Sequence, residues 1–133
     1  MTHTILMADN ERGIRLYCKQ ELEADGYHVL LAADGEDAVS VLSETPVPVD
    51  LVVLDEHMPR CGGLDAARSI RQSHPDLPLV LFTADQDYDR HYIPTVDACV
   101  MKSADLSQLK TVIDELLGGP RPASRFARRV SLV

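Results

Sequence analysis

Five short apolar runs punctuate the chain: Thr4–Ala8, His28–Ala32, Val49–Leu54, Leu77–Phe82 and Ala98–Met101. They are nearly continuous rather than alternating, the pattern of parallel strands buried on both faces. Between them the period changes. Ile14, Tyr17, Cys18 and Leu22 recur at three- and four-residue spacing and predict a helix running to about Ala24, with Asp9 or Asn10 able to cap its start. Asp25-Gly26 stops it, since Gly26 can take the left-handed conformation favoured at helix ends. After the Asp34-Gly35 turn, Ala38, Val39, Val41 and Leu42 mark a second helix, broken by Thr45-Pro46-Val47-Pro48. A third spans Leu64–Ser73, with Leu64, Ala67, Ile70 and Arg71 on one face, and His74-Pro75 ends it. A fourth, Gln86–Ile93, has a thin apolar face and is cut short by Pro94. Leu106, Leu109, Val112, Ile113, Leu116 and Leu117 give the clearest amphipathic helix, closed by Gly118-Gly119-Pro120. Strands and helices in alternation predict an α/β fold, a doubly wound parallel sheet of five strands with five helices covering both faces.

The length of 133 residues is one domain's worth. We place the domain at residues 4–118 and expect residues 119–133 to be a basic, flexible tail. That tail holds Arg121, Arg125, Arg128 and Arg129 and no acid, so the body is more acidic than the whole-chain charge of −8. An acidic body argues against direct nucleic-acid binding by this domain. No apolar run approaches the roughly 18 residues of a membrane span. Met1-Thr2-His3-Thr4 carries no basic leader region, and a cytoplasmic location is expected. Cys18, Cys61 and Cys99 are odd in number and widely spaced, which excludes a disulfide framework and leaves them as packing residues of a reducing compartment.

The chemistry is concentrated where strands one, three, four and five end: Asp9-Asn10, Asp55, Thr83 and Lys102. In a parallel sheet these ends share one edge, and ligands bind there. Each residue alone has a bland explanation. Asp9 and Asn10 could be helix caps, Asp55 and Thr83 turn residues, and Lys102 a solvated charge. Their convergence on one edge is harder to explain blandly. Two carboxylates and an amide are hard oxygen donors of the kind Mg2+ prefers. A lysine ammonium and a threonine hydroxyl suit phosphoryl oxygens. Asp55 among them could act as a carboxylate nucleophile.

On these residues the chain resembles the receiver domain of two-component response regulators, over residues 4 to about 118. The likeness rests on Ile5-Leu6-Met7-Ala8-Asp9-Asn10-Glu11, on Asp55-Glu56-His57-Met58-Pro59 with Gly63-Leu64-Asp65 behind it, and on Thr83-Ala84 and Lys102. The resemblance implies a flavodoxin-like sheet of order 2-1-3-4-5. It implies Asp55 as phosphoacceptor, charged from a phosphohistidine on a sensor histidine kinase or histidine phosphotransfer protein. Mg2+ would be held by Asp55, Asp9, Asn10 and the backbone carbonyl of His57. Thr83 and Lys102 would contact the phosphoryl oxygens, and the signal would pass to a downstream protein, or a second copy of the chain, through the face of the fourth helix, fifth strand and fifth helix.

Three positions depart from the family pattern. Asn10 stands where a second acid is usual, which removes one charge from the metal site. Cys99 replaces an aromatic residue three before Lys102, and Ser103 replaces the proline after it. The competing expectation is a receiver-like interaction module that works without phosphotransfer. A flavin binder would need a hydroxyl-rich phosphate loop, which Asp9-Asn10-Glu11-Arg12-Gly13 is not. A phosphoaspartyl hydrolase would want an acid where His57 sits.

Overall fold

A computed structural model describes residues 2–84, 95–103 and 105–118. Five strands, β1 (Thr4–Ala8), β2 (His28–Ala32), β3 (Leu51–Asp55), β4 (Leu79–Thr83) and β5 (Ala98–Met101), form one parallel sheet in the order β2-β1-β3-β4-β5. Four helices are described: α1 (Arg12–Ala24), α2 (Gly35–Glu44), α3 (Gly63–Ser73) and α4 (Ser107–Gly118). The helix expected over Gln86–Ile93 and the tail 119–133 lie outside the described residues, so α4 is the fifth of the predicted set. Among the described residues no helix is long and apolar enough to cross a membrane.

The alternation of side chains along each strand divides the interior into two layers. Ile5, Met7, Leu51, Val53, Val80, Phe82, Ala98 and Val100 face one side, with Cys18 and Leu22 of α1 and Leu109, Val112 and Ile113 of α4. Leu6, Ala8, Val52, Leu54, Leu79, Leu81 and Cys99 face the other, against Ala38 of α2 and Ala66, Ala67 and Ile70 of α3. Both faces of β1, β3 and β4 are therefore dry, as their continuous apolar runs required, while the edge strand β2 leaves His28 exposed and Leu30 and Leu31 half-buried.

The starts of β3, β4 and α1 differ from expectation for identifiable reasons. β3 begins at Leu51 rather than Val49, because Asp50 turns its carboxylate onto the Thr4 amide, 2.7 Å away, while its own N–H bonds the Thr4 carbonyl. β4 begins at Leu79 rather than Leu77, since Pro78 has no N–H to give the ladder; its carbonyl still accepts from Val52. The start of α1 is a correction. Its N-cap residue is Glu11, with no side-chain cap, and neither Asp9 nor Asn10 fills that role. Gly26 closes α1 with φ +96°, as expected.

Arg71 accounts for much of the order at the opposite edge of the sheet from the strand C-termini. Its guanidinium donates to the carbonyls of Thr95 and Leu77 and to the Asp97 carboxylate, which also accepts the Leu79 amide. A cation placed on the apolar face of α3 is thus fully used, tying α3 to the entries of both β4 and β5.

Candidate functional site

Strand alternation decides which strand-end side chains meet. Asp9 continues the phase of Ile5 and Met7, Asp55 that of Leu51 and Val53, and Lys102 that of Ala98 and Val100. All three therefore emerge on the α1–α4 side of the sheet edge. Lys102 Nζ lies 2.8 Å from Asp9 Oδ2 and 3.2 Å from Asp55 Oδ1, bridging residues from three strand ends. Asp9 is wholly buried and Asp55 is 5% exposed. The other Asp9 oxygen accepts the Glu11 N–H at 2.9 Å, so the carboxylate orients the start of α1 without capping it. The ammonium also sits 5.7 Å from the centre of the Phe82 ring.

The electrostatics follow from two buried carboxylates sharing one cation. Burial, and then the charge of Asp9, push the Asp55 carboxyl above its ordinary range, against the pull of Lys102 and of the His57 backbone amide. Burial works against the Lys102 ammonium too, but its bonds and charge contacts with Asp9 and Asp55 win, and its pKa is raised. The pocket keeps an excess negative charge.

Thr83 is buried at the end of β4, with the phase of Leu79 and Leu81, and so approaches from the other face. Its carbonyl accepts the Lys102 N–H at 2.7 Å, which fixes the two residues to one another through the backbone. Asn10 is exposed at the rim. The His57 imidazole is also exposed, with Nε2 3.3 Å from the Glu56 carboxylate, and no contact places it against Asp55. Cys99 is buried in the α2–α3 layer, where burial and then the charge of Glu56 push its thiol up to about 12, so it is inert packing.

The donor chemistry suits Mg2+, which takes hard oxygens and keeps several waters. The excess negative charge of the Asp9–Asp55 pair is what such a cation would neutralise. Among the described residues, no three His, Cys, Asp or Glu side chains gather into a metal-holding group. The position beside Asp9 offers an amide, which lowers the charge of the donor set without removing an oxygen.

Sequence reasoning missed two contributors. Arg60 and Asp34, 26 residues apart, pair beside the Asp55 loop. The one signal available was Asp34 followed three residues later by Asp37, a helix-start pattern that fixes the Asp34 carboxylate.

Residues 5–114 match the family model of the response regulator receiver domain, and the chain belongs to that family. Among its curated relatives is the transcriptional regulatory protein CpxR of Klebsiella pneumoniae, 38% identical over 80 residues, which are 60% of this chain and 33% of that protein. The chain spans about a third of the length of the curated relatives it matches. Among solved structures it is similar to the response regulator TrrA of Thermotoga maritima in complex with Mg2+-BeF. That likeness has a TM-score of 0.77 and 34% identity, covering 87% of this chain and 100% of the other. TrrA bound to the histidine kinase ThkA matches with a TM-score of 0.78 and 34% identity, over 87% and 99%.

Proposed function

We propose that this receiver domain is a phosphorylation-dependent switch in which Asp55 accepts a phosphoryl group from a phosphohistidine donor. The observation that carries the reading is the Lys102 ammonium spanning buried Asp9 and Asp55. In the transfer, an Asp55 carboxylate oxygen forms the new O–P bond as the P–N bond breaks, and the donor imidazole, protonated on its other ring nitrogen, leaves neutral with the bonding electron pair. The donor is a sensor histidine kinase or histidine phosphotransfer protein, a reading supported by the kinase complex of TrrA.

Asp9, Asp55, the Asn10 amide and the His57 carbonyl would hold Mg2+, whose charge offsets the repulsion between an anionic nucleophile and an anionic phosphoryl group. Lys102, already beside Asp55, is placed to follow the charge onto the phosphoryl oxygens, and the Thr83 hydroxyl to donate to one of them. Because the Lys102 N–H is bonded to the Thr83 carbonyl, a shift of either moves the end of β5. The output would then be a changed docking face around β5 and α4 for a downstream protein or a second copy of the chain.

Incubation with acetyl phosphate and Mg2+, followed by intact mass, tests the reading. The expected result is a gain of one phosphoryl group; a wild-type chain that gains none under saturating donor and metal defeats it. The rival, an interaction module without phosphotransfer, is favoured by the uncharged Asn10 and by Cys99 standing where an aromatic residue is usual. Asn10→Asp is expected to raise Mg2+ affinity by about tenfold, because ligand charge count tunes affinity at such sites. Calorimetric titration with Mg2+ measures this, and an unchanged affinity would show that Asn10 lies outside the metal site.

A further inference from the structure

The loop that follows Asp55 is held from the side by a contact that the phosphoryl chemistry does not use. Arg60 is the one non-glycine among the described residues with positive φ, +66°. Such a conformation is sterically costly and persists where surrounding contacts over-determine it. The contact here is with Asp34: Arg60 Nε donates to Asp34 Oδ2 over 3.2 Å, and Nη2 donates to the same oxygen. The Asp34 side chain is 5% exposed and the Arg60 side chain 67%. Asp34 is itself immobilised. It is the N-cap of α2, its Oδ1 accepting the Asp37 N–H at 2.8 Å, while Asp37 Oδ2 accepts the Ala33 N–H at 2.9 Å.

Two glycines show how closely the loop is pressed. A Cβ at Gly35, the first residue of α2, would collide with the Cys61 carbonyl and lie 3.0 Å from Cys61 Sγ. A Cβ at Gly63 would lie 2.5 Å from the Asp55 carbonyl, and the Gly63 N–H closes the loop on the Glu56 carbonyl at 3.0 Å. Residues 56–62 are therefore clamped between the end of β3 and the start of α2. An ion pair as exposed as that of Arg60 contributes little to global stability. Its consequence is local geometry.

We propose that Arg60, acting through Asp34, is a positioning residue for phosphoryl transfer: the pair latches the acceptor loop to α2 and sets where Asp55 and the His57 backbone stand. This rests on the phosphoacceptor reading above. Arg60→Gly removes the guanidinium and also frees the strained φ, so a lost latch is not confused with added strain. Asp34→Asn keeps an oxygen for the Asp37 amide and loses the charge that Arg60 hydrogen-bonds, leaving only the longer 3.9 Å approach of Arg60 Nε to the exposed Glu36 carboxylate.

The experiment measures phosphoryl uptake from acetyl phosphate at saturating Mg2+ in the wild type, both single variants and the double variant, with amide hydrogen exchange alongside. Each single substitution is expected to slow uptake by about tenfold, as small misplacements of a reacting group do, with donor KM little changed. The double variant falls no further, because the pair acts as one unit. Exchange at the Cys61 and Gly63 amides accelerates in both variants, while the Lys102 amide and the melting temperature stay near wild type. Single variants that react at the wild-type rate, or a double variant that loses the product of the two effects, overturn the latch. If the wild type takes up no phosphoryl group, the phosphoacceptor reading fails instead. The exchange arm then decides the latch alone: unchanged loop amides overturn it.

Discussion

Asp55→Asn is expected to abolish phosphoryl uptake and, in the same molecule, to make the fold more stable. The carboxyl is buried beside the Asp9 carboxylate, and those two causes hold its pKa above the ordinary 3.8. A carboxyl raised in the folded state binds its proton more tightly there than in the unfolded chain. Its contribution to stability is present below pH 3.8 and is lost as the pH rises through the raised folded value. Above the ordinary value, holding Asp55 in this site is therefore a cost carried for function. Removing the charge is expected to raise stability by about 1 kcal/mol, read as a rise of a few degrees in Tm. Other groups, such as Asp34 and Asp105, have lowered values and tilt the curve the opposite way. The informative quantity is thus the difference between wild type and variant from urea unfolding at a series of pH values. A variant no more stable than wild type at pH 7 would contradict the crowding of charge at the site.

Lys102→Ala reverses the sign. It leaves Asp9 and Asp55 buried with no ammonium between them, and breaking a buried ion pair in this way costs about 3 kcal/mol. Saturating Mg2+ should return part of that loss, since a cation that binds only the folded form stabilises it by mass action. Phosphoryl uptake should fall by about a hundredfold for want of the positive charge that follows the transferring group. Urea unfolding with and without Mg2+ reads the first effect and intact mass the second. Wild-type stability in Lys102→Ala would mean that the ammonium does not neutralise the pair. A loss of stability untouched by Mg2+ would place the metal elsewhere.

The sheet was legible because its strands are buried on both faces, and runs such as Leu51–Leu54 leave a strand little alternative. The first residues of β3 and β4 were not, because an apolar Val49 or Leu77 looks like strand until Asp50 and Pro78 are seen to divert or withhold the backbone hydrogen bonds. Asp9, Asp55 and Lys102 could be assembled from strand ends alone, since parallel strands finish on one edge. The cap of α1 went the other way. A buried Asp9 carboxylate is claimed by Lys102 and the Glu11 amide before it can serve a helix cap. Arg60 was invisible for a different reason. Nothing in an arginine after proline announces positive φ, and its partner lies on another element. Arg71 was placed on the correct face of α3, but its hydrogen bonds depend on loop carbonyls that only the folded chain brings together.

The backbone bond from Lys102 to the Thr83 carbonyl has a mechanical consequence. It makes the ends of β4 and β5 one jaw, while Asp9 and Asp55, on the neighbouring strands β1 and β3, form the other. The ammonium of Lys102 is a side-chain link between the two, laid over the backbone ladder that already pairs Asp55 with Phe82. Because the ladder holds the strands, rearranging that one ion pair would re-aim the side chains at the strand ends, and no strand would have to leave the sheet.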